Sequence, residues 1–236
     1  MLDTFLFDLD GTLLPMNMDK FIHIYFSELS LLLKDMIEPE QLAKYIWKAT
    51  DDMVKNTDYK TNEEVFMESF SKLATGSMED YKKRFDSFYD SEFKKTKEAT
   101  FTLPIIKECI SLLKVKGYTL AIATNPLFPA KAIYHRIQWA GLNPEDFSYI
   151  SSYEHNHYCK PNIHFYKEVL NDIKKLPEQC MMVGNDVQED LVALKLGIKT
   201  FLITDHLIHR NEEPIETTYC GNYEDFYKLV QELPTL

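Results

Sequence analysis

Two aspartates, Asp8 and Asp10, close an apolar run, Thr4-Phe5-Leu6-Phe7-Asp8-Leu9-Asp10, and are followed at once by Gly11-Thr12. Carboxylates held together repel, and both stay ionised comfortably when a cation sits between them, so the pair implies a divalent metal. The apolar run reads as a short buried strand. Side chains alternate along a strand, so both carboxylates would point to one face, and Gly11 would stop the strand. Ligands of open parallel α/β sheets bind outside the carboxyl ends of the strands, where this pair would lie. An Asp-x-Asp-Gly-Thr string arises by chance in about three per thousand chains of this length, so the rest of the chain must supply partners.

The elements that could position such partners begin near Thr100. A helix over Pro104–Lys116, with Pro at its start and Gly117 after its end, leads to a strand over Thr119–Thr124. A helix over about Pro129–Ala140, a strand over Phe147–Ser151 and a helix over about Pro161–Lys174 follow. A strand at Cys180–Val183, a helix at Glu189–Leu196 and a strand at Thr200–Ile203 complete the series. Alternation of near-continuous apolar strands with helices predicts a doubly wound, Rossmann-like parallel α/β sheet covered on both faces.

The segment between Pro15 and Thr100 carries helical patterns and no strand. Phe21, Ile24, Tyr25, Leu29, Leu32 and Leu33 have helical spacing, as do Leu42, Tyr45, Ile46, Ala49 and Met53. Thr61-x-x-Glu64 resembles a capping box, and Ser77-x-x-Asp80 does so loosely. Four helices over residues 16–99 would form a small bundle inserted into a core made of residues 1–15 and 100–236. The aromatics of this segment, Tyr45, Trp47, Tyr59, Phe66, Phe70, Tyr81, Phe85, Phe88 and Tyr89, read as bundle core.

A net charge of -11 argues against a nucleic-acid or anionic-membrane partner, since a phosphate backbone selects clustered Lys and Arg. Hydrophobic content of 45% and aromatic content of 13% exclude disorder. No apolar stretch approaches a membrane span, and the N-terminus lacks a basic region before its apolar run, which points to the cytoplasm. Cys109, Cys159, Cys180 and Cys220 have no close-paired spacing and read as reduced, mostly buried thiols.

Three polar clusters each follow a predicted strand. They are Thr124-Asn125, Lys160-Pro161, and Gly184-Asn185-Asp186-Val187-Gln188-Glu189-Asp190. Singly, they read as a turn before Pro126, a surface lysine before a helix-opening proline, and an acidic helix cap. His155, His157 and Cys159 precede Lys160, but alternate residues in one loop supply too few matched ligands for a transition metal. That loop is expected to border a substrate pocket.

In this order, the four clusters resemble the four motifs of the haloacid dehalogenase-like superfamily, over most of the chain. Asp8 through Thr12 match the first motif, Thr124-Asn125 the second, Lys160-Pro161 the third and Gly184 through Asp190 the acidic fourth. One departure is Asn185, which separates Gly184 from Asp186, a variation the superfamily also uses. The resemblance implies a Mg²⁺-dependent phosphatase with the helical insertion as a type 1 cap, acting on a small phosphorylated metabolite. It implies Asp8, Asp186 and the main-chain carbonyl of Asp10 as metal ligands. It also places Asp190 behind them, orienting a metal-bound water or holding Lys160.

The residue types suit that chemistry. Asp8 can take a phosphoryl group as an aspartyl-phosphate, and Asp10 can protonate the leaving alcohol and later deprotonate water. The Thr124 hydroxyl, the Asn125 main-chain N–H and the Lys160 ammonium would meet the phosphate oxygens. Sugar-phosphate mutation shares all four motifs, whereas 2-haloacid dehalogenation needs neither metal nor Asp10. A non-catalytic ligand-binding protein is opposed by the intact residue set. Nothing in the sequence gives the oligomeric state.

Overall fold

In the computed structural model, which spans Met1–Leu236, six strands form one parallel sheet. They are β1 (Thr4–Phe7), β2 (Thr119–Ile122), β3 (Tyr149–Ile150), β4 (Cys180–Gly184), β5 (Lys199–Ile203) and β6 (Tyr219–Gly221). Their order across the sheet is β3-β2-β1-β4-β5-β6, and every neighbouring pair is parallel. The chain therefore winds outward in both directions from β1, whose carboxyl end is the switch point where α/β folds bind ligands.

Alternation along β1 decides what each face packs against. Phe5 and Phe7 point to one side and make edge-to-face contacts with Phe226, whereas Leu6 joins Ala121, Met182 and Phe165 on the other. All four residues of β1 are buried, as expected for a central strand covered on both faces.

Nine α-helices accompany the sheet. The first four, α1 (Met18–Leu33), α2 (Pro39–Lys55), α3 (Asn62–Ser71) and α4 (Met78–Asp90), precede a 3₁₀ segment at Glu92–Ala99. The others are α5 (Pro104–Val115), α6 (Ala130–Trp139), α7 (Ile163–Ile173), the single turn α8 (Val187–Asp190) and α9 (Tyr223–Glu232). Helices α1 to α4 contain no strand between them and form a helical insertion after β1. Its two connections run side by side. The Asn17 N–H donates to the Ala99 carbonyl at 2.8 Å, and the Phe101 N–H to the Pro15 carbonyl at 2.8 Å.

Thr61 and Glu64 form a complete capping box at the start of α3. At α4 only half of one is made: Ser77 accepts from the Asp80 N–H, and the Asp80 side chain makes no return bond.

Several boundaries differ from the sequence reading. Strand β1 ends at Phe7, so Asp8 and Asp10 occupy the following turn, and strand alternation is not what orients them. Strands β2 and β3 are shorter than expected, and α7 starts at Ile163, capped by Asn162. The helix expected over Glu189–Leu196 is instead the turn α8 followed by a 3₁₀ segment, Leu191–Leu196. Beyond Ile203 the sequence reading placed nothing, yet the chain adds β6 and α9. The signal for α9 was present: Asn222 and Asp225 form a capping box ahead of the buried positions Phe226 and Val230.

Three of the four cysteines, Cys109, Cys159 and Cys180, are buried and Cys220 is exposed; none is paired. No helix is long and apolar enough to cross a membrane.

Candidate active site

Strand register brings the polar clusters together. Phe7 pairs with Ile122 on one side and Val183 on the other, so the residues just beyond all three strands emerge at one level. The Asp8 N–H donates to the Val183 carbonyl at 2.9 Å, and the Ala123 N–H to the Phe7 carbonyl at 2.7 Å, carrying that register one residue further. A cavity of about 390 Å³ opens there, lined by Asp8, Asp10, Thr124, Asn125, Asn185, Asp186, Glu189 and Arg210 at one end. Helices α1 to α4 enclose the other end with apolar and aromatic side chains.

Lys160 does not line the cavity but supports it from below. Its side chain is wholly buried, and its ammonium donates to Asp8 Oδ1 at 3.0 Å and to Asp190 Oδ1 at 2.6 Å. Burial works against the charge on Lys160, but the carboxylates of Asp190 and Asp8 outweigh it and hold the lysine well above its usual range. Burial likewise pushes the Asp190 carboxyl upward, with Lys160 opposing. Asn125 fixes the lysine's main chain: its side-chain oxygen accepts from the Lys160 N–H at 3.1 Å, and its amide donates to the Lys160 carbonyl at 3.3 Å and to Glu189 at 3.0 Å.

Two glycines make the site possible. A Cβ on Gly184 would lie 2.0 Å from Asp190 Oδ2, so only glycine lets Asp190 fold back under β4. Gly11 has φ of +82°, and a Cβ there would lie 2.4 Å from the Asn185 amide. Asn185, which in sequence looked like a spacer, is a joint between loops. It accepts from the Thr12 hydroxyl at 2.9 Å and donates to the His206 carbonyl at 2.6 Å. The same hydroxyl is 3.4 Å from Asp8 Oδ2, a weaker alternative for its single proton.

Asp10 is held by a residue the sequence reading missed. Arg136, on α6 and almost wholly buried, pairs with Asp10 Oδ2 and stacks its guanidinium 4.6 Å from the centre of the Phe128 ring. The other carboxylate oxygen, Asp10 Oδ1, is buried without a partner. Burial raises Asp10 to about 6, Arg136 acting against the rise and Asp8 adding to it. The sequence did carry a signal for Arg136. It falls three and four residues after Ile133 and Ala132, on the otherwise apolar buried face of an amphipathic helix.

Arg210 is the second missed residue. It comes from the loop after β5, where no motif marks it, and it grips Asp186 with N···O distances of 2.7 and 2.6 Å while approaching Glu189 at 3.5 Å. Asp186 also caps α8 by accepting from the Gln188 and Glu189 N–H groups, each at 3.0 Å.

The loop before Lys160 borders the cavity only through Tyr153. His155 pairs with Asp172 and His157 with Glu168, both away from the cavity, and Tyr59 stacks on His157 at 3.9 Å. This loop instead fastens the insertion to the core: the Asn62 N–H donates to the Asn156 carbonyl and the Glu63 N–H to the Tyr153 carbonyl, both at 2.8 Å. The aromatics read as bundle core also divide. Phe70, Tyr81 and Phe88 are buried in it, while Trp47, Phe66, Phe85 and Tyr89 line the cavity.

The donors at the polar end are compatible with a hard divalent cation. Asp8, Asp10, Asp186, Glu189 and Asp190 outnumber Lys160, Arg136 and Arg210, so the cluster carries surplus negative charge. No three His, Cys, Asp or Glu side chains form a closed chelating set. Mg²⁺ does not require one, since it usually keeps several waters and takes one or two carboxylates plus a substrate phosphate.

A doubly wound parallel sheet with this order, and this carboxylate cluster at the end of β1, define an α/β enzyme of the hydrolase class. The chain belongs to the haloacid dehalogenase-like hydrolase family, whose pattern it matches over residues 2–197. It is 27% identical over 105 residues to glyceraldehyde 3-phosphate phosphatase from Methanothermobacter thermautotrophicus. That match spans 44% of this chain and 45% of the relative, less than half the length of either. The fold is shared with a HAD phosphatase from Thermococcus onnurineus, at a TM-score of 0.62, 17% identity and 100% of both chains. It is also shared with L-2-haloacid dehalogenase from Xanthobacter autotrophicus, at a TM-score of 0.60 and 13% identity, over 99% of this chain and 100% of that one.

Proposed function

We propose that this hydrolase is a Mg²⁺-dependent phosphatase that acts on a small phosphorylated metabolite through an aspartyl-phosphate on Asp8, with residues 16–99 as a cap over the site. The observation that carries this reading is the position of Lys160, wholly buried and bonded to Asp8 Oδ1, while Asp8, Asp10 and Thr124 open together into one cavity. Lys160 orients the nucleophile through this bond, and the carboxylates of Asp190 and Asp8 hold the lysine charged.

In the first half-reaction an Asp8 oxygen attacks phosphorus, the ester P–O bond breaks, and Asp10 gives its proton to the departing alcohol oxygen. In the second, Asp10 takes a proton from water as that water attacks phosphorus. The bond to Asp8 breaks and inorganic phosphate leaves. The Thr124 hydroxyl and the Asn125 main-chain N–H donate to the phosphoryl oxygens, where charge spreads in the transition state. Asp8, Asp186 and the Asp10 carbonyl would hold Mg²⁺, which when bound neutralises phosphate charge. The cap excludes water and contacts the organic part of the substrate, with the paired connections at Pro15–Asn17 and Ala99–Phe101 as its hinge.

The test is phosphate release from a panel of phosphorylated metabolites with and without Mg²⁺, with Asp8→Asn as control. Mg²⁺-dependent release that falls at least about a thousandfold in Asp8→Asn is expected. Full activity in Asp8→Asn, or in excess chelator, overturns the mechanism.

A further inference from the structure

The wall of the cavity opposite the carboxylates has a composition the phosphate chemistry does not explain. Ile22, Phe26, Trp47, Phe66 and Phe85, from α1 to α4, form an apolar chamber continuous with the polar end. The whole cavity, polar end and chamber together, measures about 390 Å³ and suits one small ligand.

No lysine, arginine or histidine of the insertion faces this chamber. Several basic residues of α2 to α4 are paired on the outer surface, Lys48 with Asp52, Lys82 with Glu63, and Arg84 with Asp35 and the Leu32 carbonyl. The only basic side chain on the cavity wall is Arg210, at the polar end, where Asp186 and Glu189 already engage it. A second carboxylate or phosphate on the substrate would therefore be desolvated among aromatic rings, with carboxylates as its nearest charged neighbours. A sugar would bury several hydroxyls for which the chamber offers few partners. The neutral polar groups there are Thr50 and the hydroxyls of Tyr25, Tyr89 and Tyr153, and Tyr25 and Tyr89 already share one hydrogen bond at 3.0 Å.

Resting on the phosphatase reading, we propose that the substrate is the monophosphate ester of an uncharged, mainly apolar alcohol, with a ring or branched chain held between Trp47, Phe66 and Phe85. Hydrolysis transfers the phosphoryl group to water and releases the alcohol with the proton supplied by Asp10. Burial of the apolar group supplies the selectivity, and no second anion site takes part.

Esters of primary alcohols make the test, because their leaving groups have similar basicity and differ mainly in what enters the chamber. With Mg²⁺ present, kcat/KM for benzyl phosphate and 3-methylbutyl phosphate should exceed that for glycerol 1-phosphate, phosphoglycolate and glucose 6-phosphate by about a hundredfold. Trp47, half-exposed at the chamber wall, can be changed with little risk to the fold. Trp47→Ala should raise KM for benzyl phosphate about tenfold with kcat little changed, and should change kcat/KM for phosphoglycolate by a smaller factor. Binding without turnover gives a second reading. Trp47 is one of two tryptophans in the chain, and benzylphosphonate should change its fluorescence saturably, a change that Trp47→Phe removes. Equal or faster turnover of phosphoglycolate or glucose 6-phosphate overturns the proposed substrate class and leaves the phosphatase intact. A lack of Mg²⁺-dependent release from every ester overturns the phosphatase reading itself, and this proposal with it.

Discussion

Arg136 and Asp10, 126 positions apart in sequence, form an ion pair beside the cavity, with the arginine buried in the core and the aspartate in the turn after β1. One carboxylate oxygen is thereby fixed while the other stays unpaired. Arg136 touches no part of the proposed substrate position, so its effect passes through Asp10 as a positioning residue.

Removing that guanidinium should change the pH profile. Burial raises Asp10 to about 6 and Arg136 restrains the rise. Asp10 must carry a proton to serve the leaving alcohol, so kcat/KM should fall as pH rises above about 6. In Arg136→Met the restraint is gone and the alkaline midpoint should move upward by about one unit. A midpoint that stays in place would show that Arg136 does not govern Asp10.

Lys160 should be costly to remove alone and cheaper to remove with its partner. Lys160→Met leaves Asp8 and Asp190 buried together without compensation, and urea unfolding should show a loss of about 3–5 kcal/mol. Lys160→Met combined with Asp190→Asn removes a charge of each sign and should recover much of that stability. Neither protein should regain activity, because Asp8 has lost the donor that orients it.

Far from the cavity, the carboxyl of Asp3 is shifted the opposite way to that of Asp10. Burial tends to raise its carboxyl, but bonds from Lys175 at 2.8 Å, Thr4 at 2.6 Å and Gln179 at 3.0 Å bring it below the usual value. An acid lowered by folding stabilises the protein above its unfolded pKa and loses that contribution as pH falls through the folded value. Asp3→Asn should cost about 1 kcal/mol at pH 7, and the two proteins should converge as the pH falls through the lowered folded pKa of Asp3. A difference that persists in acid would assign the loss to packing.

Space rather than charge governs Gly184. Its missing Cβ is filled by the Asp190 carboxylate, so Gly184→Ala should displace Asp190 from Lys160. Thermal unfolding should report a loss of about 1–3 kcal/mol, accompanied by at least about a tenfold fall in kcat. Wild-type activity in this variant would remove Asp190 from the proposed support of Lys160.

Arg210 and a divalent cation would compete for the same Asp186 oxygens. Arg210→Ala should therefore tighten Mg²⁺ binding by about three- to tenfold, the range expected for losing a partly exposed ion pair. Calorimetric titration measures this without substrate. Weaker Mg²⁺ binding in the variant would mean that Arg210 helps the site rather than competing for it.

Much of this site was legible in the sequence because its parts are local. Asp8, Asp10, Thr124, Lys160, Asp186 and Asp190 each follow an apolar strand or open a helix, and parallel strands in register carry such positions to a common edge. What joins the elements was not legible. Asn185 read as a spacer, and nothing local names the partners of Arg136, Asn185 or Arg210, which lie 126, 173 and 24 positions away in sequence.

The sequence alone determined the order of strands and helices as far as Ile203, the helical character of residues 16–99 and the chemical type of the polar end, because hydrophobic periodicity and turn residues act over a few positions. Only the tertiary structure decided which carboxylates are paired and by what, and that Trp47, Phe66 and Phe85 line a chamber rather than filling a core. Those outcomes depend on which surfaces meet when the insertion packs over the sheet, and burial and pairing arise only when those surfaces come together.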